Sequence, residues 1–529
     1  MCISVQQLTY THPDKEVLFQ DISFSVAKGQ KIALIGDNGS GKSTLMHLLN
    51  GDLKPSSGEI IRSSDPYYIP QHFGQYNRMT VSQALRIDSK LKALHAILNN
   101  DTSPQNFSLL NDDWAIEERS QAALSHWGMG HIALTTPLDD LSGGEKTKLF
   151  LAGIEVHEPG LILFDEPTNH LDYHYRAKLY DFISSSRKTM VIISHDRALL
   201  NLLPETYELK KEGITYYAGN YEFYKIQKEQ EIVSLQARLE QQEKELRLAR
   251  KTAREAAERK QKHDVRNNKG TADKGIPRIM INLLKNKAEN SSAKLKETHE
   301  QKLDSLVENI GKIRKSLPDT KAMKTDFGES GLHAGKILVS AKDINFSYDA
   351  NPLWKDSLNF QIKSGERILL RGSNGSGKTT LLKLITGQLL PQQGMLDLAD
   401  FTYVYLDQEY SIINNGLTVY EQILQFSSGL HEHEIKTILN RFLFSYRSWD
   451  KECGLLSGGE KMKLALSCLM VSSNTPDVFI LDEPTNNIDI RNVEILTSTV
   501  RDFGGTVLLV SHDTYFIHRM NIDYEIELQ

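Results

Sequence analysis

Leu161 to Asp172 reads LILFDEPTNHLD. Four apolar residues, Leu161 to Phe164, run into two carboxylates, Asp165 and Glu166. A short apolar run of this kind predicts a strand buried on both faces of a parallel sheet. The acidic pair then falls at the sheet edge where open α/β folds bind their ligands. There one carboxylate can hold Mg²⁺ through its water shell, and the next can polarise an attacking water. An isolated acidic pair is more often a solvated cap on a core strand. Here the stretch returns as Val478 to Asp489, VFILDEPTNNID, and chance is a poor explanation for a repeat of that length.

Upstream, a second apolar strand, Lys31 to Ile35, leads into Gly36-Asp37-Asn38-Gly39-Ser40-Gly41-Lys42-Ser43-Thr44. Gly, four residues, Gly, Lys, Ser/Thr is the pattern of a phosphate-binding loop. Its glycines let backbone N–H groups turn inward where side chains would block a phosphate. The helix predicted to follow, Ser43 to Asn50, points its N-terminus at the same place. A nucleotide is the expected ligand, with Lys42 on the β and γ phosphates and Ser43 able to ligate Mg²⁺. Residues 5–26 read as a strand pair, and residues 76–135 as largely helical with polar loops around Asn99 to Asn106.

Three weaker signals follow in order. A short strand ends in Tyr68-Ile-Pro-Gln71. Leu141-Ser142-Gly143-Gly144-Glu145 opens a helix, either as a second anion-binding surface or as a plain N-cap with its capping glutamate. Another buried strand, from Met190, delivers His195 to the sheet edge. Each is commonplace alone. All recur in the same order: Gly372-Ser373-Asn374-Gly375-Ser376-Gly377-Lys378-Thr379-Thr380, then Gln408, then Leu456-Ser457-Gly458-Gly459-Glu460, then Asp482-Glu483, then His512. The chain is an internal duplication of an α/β nucleotide-binding fold.

Its bulk properties agree. A length of 529 residues allows three or four domains. No apolar run approaches a membrane span, and the N-terminus shows no secretory signal. Three cysteines, Cys2, Cys453 and Cys468, are too few for a disulfide framework or a metal cluster. A cytoplasmic location is expected. The net charge of −6 hides an asymmetry. Lys225 to Lys315 carries about +9, leaving about −15 for the remainder. Lys225 to Lys262 has no Pro or Gly and predicts a helix of about 57 Å. Val265 to Ile276 reads as a turn, and Pro277 as the first turn of a returning helix that runs to about Ser316. Ile232, Leu235, Leu239 and Leu246 in one arm, with Leu295, Leu303, Leu306, Ile310 and Ile313 in the other, predict an antiparallel coiled pair. A solvated spacer would need neither this length nor this charge. A cationic hairpin on an acidic protein suits a phosphate-rich partner.

With two LSGGE stretches beside two phosphate loops, the chain resembles the ATP-binding cassette proteins, and the ABC-F class in particular. GNYEFY, residues 219–224, leading into the hairpin, resembles the same class. The resemblance implies two nucleotide-binding domains, 1–224 and 326–529, joined by a helical hairpin linker, 225–325. It implies that the domains close head to tail on ATP. Lys42, Ser43, Gln71, Asp165, Glu166 and His195 would then face Ser457, Gly458 and Gly459. Lys378, Thr379, Gln408, Asp482, Glu483 and His512 would face Ser142, Gly143 and Gly144. Glu166 and Glu483 would be catalytic bases, with Gln71, Gln408, His195 and His512 at the γ-phosphate. Mg²⁺ would be held by Ser43, Gln71 and Asp165 in one site, and by Thr379, Gln408 and Asp482 in the other. Tyr348 fits the slot that stacks on adenine, and His12 takes the equivalent slot in the first domain. Asn487 stands where the first domain has His170.

The class implies a ribosomal partner, contacted at 23S rRNA and tRNA near the exit and peptidyl sites, with the linker tip near the peptidyl-transferase centre. It implies neither a membrane subunit nor DNA. A long linker, a glycine-containing tip, a short arm insertion, the stretch KGIPRIMINLLKNKAENSS and no extension after Gln529 resemble the members that displace antibiotics. A general translation factor of the class is the alternative. The ATPase subunit of an importer would have no use for the hairpin. Chromosome-architecture ATPases place a far longer coiled coil inside one ATPase fold, and three cysteines exclude an iron–sulfur ribosome-recycling ATPase.

Overall fold

The computed structural model describes residues 2–270, 297, 300–314, 317, 331–348, 351–427, 429–472, 475–486 and 488–528. Its contacts divide the chain into two compact units, Met1–Glu222 with Met323–Gln529, and Phe223–Ala322.

The first unit contains the duplicated fold. In one half, a parallel sheet runs in the order Tyr67–Ile69, Leu161–Asp165, Thr189–Ile193, Lys31–Ile35 and Glu205–Lys210, with Gly213–Tyr217 added antiparallel at the edge. In the other, the order is Tyr403–Leu406, Val478–Asp482, Thr506–Val510, Arg367–Gly372 and Tyr524–Leu528. Each half adds a three-stranded antiparallel sheet: Val17–Val26, Ile3–Thr11 and Ser57–Arg62, and Leu358–Lys363, Ile337–Asn345 and Gln393–Leu398.

Leu161, Ile162, Leu163 and Phe164 are fully buried, as a central parallel strand requires. Each such side chain contributes about 1.5–3 kcal/mol on leaving water. Parallel neighbours put the ends of Leu161–Asp165, Thr189–Ile193 and Lys31–Ile35 on one edge. That edge therefore gathers Asp165, Glu166, His195 and the loop from Gly36.

The loop glycines have steric causes. Gly41 and Gly377 cap the helices Lys42–Asn50 and Lys378–Ile385 in the left-handed region, at φ 94° and 89°. A Cβ on Gly377 would lie 2.6 Å from Leu353 Cδ2 and 2.9 Å from Trp354 Nε1. The insertion after Gln71 is helical in short pieces, Val81–Ala84, Asp88–Leu98, Pro104–Leu110 and Ile116–His126. Asn106, expected in a loop, lies inside a helix whose first residue is Pro104, where a proline's missing N–H costs nothing.

The second unit contains most of a long helix, Tyr221–Gly270. Its half-buried positions Ile232, Leu235, Leu239, Gln242, Leu246, Ala249, Ala253 and Ala256 alternate steps of three and four. That stripe is a coiled-coil seam. Residues 300–314 are also helical, with Leu306, Ile310 and Ile313 buried, and Arg314 Nη2 lies 2.6 Å from Glu243 Oε1. The expected turn over Val265 to Ile276 is corrected in part, because the helix continues to Gly270. Asn and Gly weaken a helix without breaking it, and no proline stops this one before Pro277. Pro277, Leu295, the stretch 274–292 and Asn487 lie outside the described residues.

Candidate functional site

The two acidic pairs share an unusual backbone. Glu166 and Glu483 have φ of 53° and 50°, left-handed values that are rare for a non-glycine residue. The N–H of Glu166 donates to Ile193 O at 2.9 Å, and that of Glu483 to Val510 O at 2.8 Å. Each strand is thus tied to its neighbour at the turn, so the glutamate leaves the sheet on the loop side.

In the first half these residues line a cavity of about 310 Å³ with His12, Asn38, Gly39, Gly41, Lys42, Ser43, Thr44, Gln71 and His195. Lys42 is buried, and its ammonium donates to Gly36 O at 2.7 Å and Asp37 O at 3.1 Å. Tyr68 OH donates to Asp165 Oδ2 at 3.3 Å. Asp165 Oδ1 is buried without a partner. Glu166 Oε2 accepts from His195 N at 3.1 Å, and Oε1 lies 3.4 Å from His195 Nε2. Burial pushes the Asp165 carboxyl up to about 6 and Glu166 up to about 7. The same burial, with Lys42 nearby, pushes the His195 imidazole down, so it is neutral.

The second cavity is larger, about 830 Å³, and both halves line it. The second half supplies Tyr348, Asn374, Gly375, Gly377, Lys378, Thr379, Thr380, Gln408, Asp482, Glu483 and His512; the first supplies Ser142, Gly144, Glu145, Lys148, His170 and Arg176. Lys378 donates to Gly372 O and Ser373 O, each at 2.8 Å. Thr379 Oγ1 lies 3.5 Å from Asp482 Oδ2, which also accepts from Tyr405 OH at 2.7 Å. Glu483 Oε1 is 3.3 Å from His512 Nε2 but not aligned to bond with it. Burial raises Asp482 and pushes Glu483 up to about 7. Burial, then the charges of Arg176 and Lys378, push His512 down to about 3.

The halves meet beside this cavity. Asn374 Nδ2 donates to His170 O at 2.8 Å, and Asn374 N to Asp172 Oδ2 at 3.4 Å. Arg176 Nη1 donates to His512 O at 3.2 Å. Arg197 Nη2 donates to Glu494 Oε1 at 3.0 Å, and its guanidinium lies 3.9 Å from the Tyr515 ring centre.

The two LSGGE helix starts stand differently toward the cavities. Ser142 and Gly144 share a cavity with Lys378 and Glu483, and Gly143 packs against His170. Ser457, Gly458 and Gly459 are not among the described residues lining the first cavity. Of the second half, the charge of Asp489 is felt at Lys42 and His195. Both serines form capping boxes: Ser142 N donates to Glu145 Oε2 and Ser457 N to Glu460 Oε2, each at 2.8 Å. The capping alternative is thus present in both copies. In the first, that helix start also opens onto a cavity.

His12 and Tyr348 line the cavity of their own half, and Tyr348 OH lies 3.0 Å from Thr380 Oγ1. Sequence reasoning missed Tyr68 and Tyr405, Arg176 and Arg197. A signal for the tyrosines existed, since each stands three residues before its glutamine, Gln71 or Gln408.

In the first half the donor set suits Mg²⁺ bound with a phosphate and water: the Ser43 hydroxyl, the Gln71 side-chain amide and the Asp165 carboxylate, whose Oδ1 is buried without a partner.

The ABC transporter family model matches residues 19–169 and 355–486, more than half of the chain. ABC transporter F family member 5 of Arabidopsis thaliana is 30% identical, over 95% of this chain and 72% of the relative. The chain belongs to the F family of ATP-binding cassette proteins. It is an ATPase, with two tandem cassettes. The chain is also similar to the ribosome protection protein VmlR of Bacillus subtilis, 28% identical over 98% of this chain and 85% of that protein. Among solved structures, RNase-L Inhibitor matches with a TM-score of 0.58 at 20% identity, covering 99% of this chain and 87% of that one, and so shares the tandem fold. No helix among the described residues is long and apolar enough to cross a membrane.

Proposed function

We propose that this ATPase works on the ribosome, with nucleotide closure of residues 1–224 and 326–529 governing the linker 225–325. Lys42 and Lys378 exchange their loop carbonyls for the β and γ phosphates of ATP. Ser43 with Asp165 and Gln71, and Thr379 with Asp482 and Gln408, hold Mg²⁺, which neutralises phosphate charge when bound. Glu166 and Glu483 orient and polarise the attacking water. His195 and His512, kept neutral by burial, donate to the γ-phosphate. Tyr348 and His12 flank adenine. Ser142, Gly143 and Gly144 close over the nucleotide at Lys378, and Ser457, Gly458 and Gly459 over that at Lys42.

The observation that carries the ribosomal reading is the long helix Tyr221–Gly270 with its sealed seam and its exposed Lys244, Arg247, Arg250, Lys251, Arg254, Arg259 and Lys262. Such an array binds a phosphate-lined RNA surface by charge and shape. The whole-length likeness to a protein named for ribosome protection favours one role within the family: displacing antibiotics from the peptidyl-transferase region.

Two experiments test this. The Glu166→Gln, Glu483→Gln double variant, pulled down with ATP, retains ribosomal RNA because the closed form cannot reset. A pull-down free of ribosomal RNA removes the ribosomal reading. Expression in a susceptible host raises tolerance to drugs of the peptidyl-transferase region. Unchanged susceptibility at a confirmed protein level leaves a general translation factor instead.

A further inference from the structure

The halves repeat each other closely, so a charged residue present in one and missing from the other stands out. Four residues after the aspartate that closes each acidic motif, Asp172 or Asp489, the first half has Arg176 and the second has Val493. Arg176 is buried at 7% exposure. Its Nε donates to Leu171 O at 2.9 Å, and its Nη1 lies 3.6 Å from Asp196 Oδ2. Tyr180 OH donates to the same Asp196 oxygen. Thr497 stands at the position matching Tyr180.

The guanidinium is thus fixed within its own half, and its remaining reach crosses to the other. Nη1 donates to His512 O at 3.2 Å, and the side chain lines the cavity that holds Lys378, Glu483 and His512. A planar fork pinned at two acceptors loses little freedom in making a third bond. The two bases are also held differently. Glu166 Oε2 accepts from His195 N, whereas neither carboxylate oxygen of Glu483 has a hydrogen-bond partner. On its own half Glu483 feels the His512 backbone and the charge of Lys378, without the 3.1 Å bond that His195 N makes to Glu166, and the facing half adds the Arg176 guanidinium. Consistent with this, Arg176 heads the charges acting on both Glu483 and His512, after burial itself.

We propose that Arg176 is a positioning residue acting across the interface on the second site. It fixes the His512 backbone, and through it the spacing of His512 and Glu483, only while the halves touch. Val493 carries no side-chain donor at the matching position, so the two sites hydrolyse unequally. This rests on the assignment of Glu483 and His512 made above.

The test reads each site separately in the full chain. The protein is photolabelled with 8-azido-ATP carrying the radiolabel at either the α or the γ phosphate, and labelled tryptic peptides are assigned to their half. The γ-to-α ratio measures unhydrolysed nucleotide at that site. Arg176→Ala slows hydrolysis at the second site by about tenfold, because a sub-ångström misplacement of reacting groups is costly, and leaves the first within about twofold. Arg176→Lys recovers part of the loss, since an ammonium can still donate to His512 O. Because both labels come from one molecule, the first site serves as the folding control. Glu483→Gln calibrates the second. If Glu483→Gln leaves the second-half ratio unchanged, the base assignment fails and this proposal with it. If Glu483→Gln raises that ratio while Arg176→Ala does not, or raises both halves equally, the role of Arg176 alone is overturned.

Discussion

Replacing Tyr405 with Phe removes one hydroxyl and leaves the ring. That hydroxyl donates to Asp482 Oδ2 at 2.7 Å, and Thr379 Oγ1 lies 3.5 Å from the same oxygen. A hydrogen bond to a charged group contributes about 1.5–3 kcal/mol. Asp482 is partly exposed to the cavity, so the lower figure applies, about 1.5 kcal/mol or about tenfold in affinity. Tyr68→Phe makes the same change in the first half, where the bond is 3.3 Å and correspondingly weak, about 0.5 kcal/mol or about twofold. The assay is ATPase rate against Mg²⁺ at fixed ATP. Half-saturating Mg²⁺ rises by these factors, because an aspartate without its tether must be ordered when the cation arrives. Equal shifts in the two variants, or a larger one for Tyr68→Phe, would refute the reasoning, since the ranking comes from the distances alone.

Burial makes an ionised Glu166 costly to the nucleotide-free fold. Its carboxyl is pushed from the ordinary value of 4.5 up to about 7, so ionisation is penalised in the folded chain above pH 7 and the penalty vanishes below the unfolded value. Glu166→Gln therefore stabilises the chain by about 3 kcal/mol at pH 8 and by almost nothing at pH 4.5, a difference visible in melting curves with EDTA. Gly377→Ala adds left-handed strain and a clash with Leu353 and Trp354, together about 2–4 kcal/mol, and photolabelling of the second half falls while the first half keeps its label. Ile310→Ala, in the sealed seam of the linker pair, loses about 2–4 kcal/mol, seen as faster hydrogen exchange in residues 300–314 with ATPase activity retained. Arg197→Ala removes a cation–π contact and an ion pair between the halves; a double-mutant cycle with Tyr515→Leu gives a coupling of about 1 kcal/mol, and zero coupling would count against the contact.

Much of the fold was legible because its signals are local. The apolar runs at Leu161 and Val478, the glycine loops and the residues after them each state their own structure, and duplication multiplies their weight. The seam of the long helix was legible for the same reason. What escaped is non-local or unforced. Arg176 meets His512 and Arg197 meets Glu494 across more than 290 residues of chain, and no pattern in either segment announces the other. Nor does a sequence show that a glutamate adopts φ near 50°. The end of the first linker helix was misplaced because Asn267, Asn268 and Gly270 lower helix stability without forbidding it.

The left-handed backbone at Glu166 and Glu483 has a consequence for how such a chain drifts. Glycine or asparagine would sit at that corner with less strain, and a neutral side chain there would spare the burial of charge. Each half thus gains stability by discarding its acid, and only the demand for turnover opposes the loss. A copy excused from chemistry would shed this residue early, and here neither copy has done so.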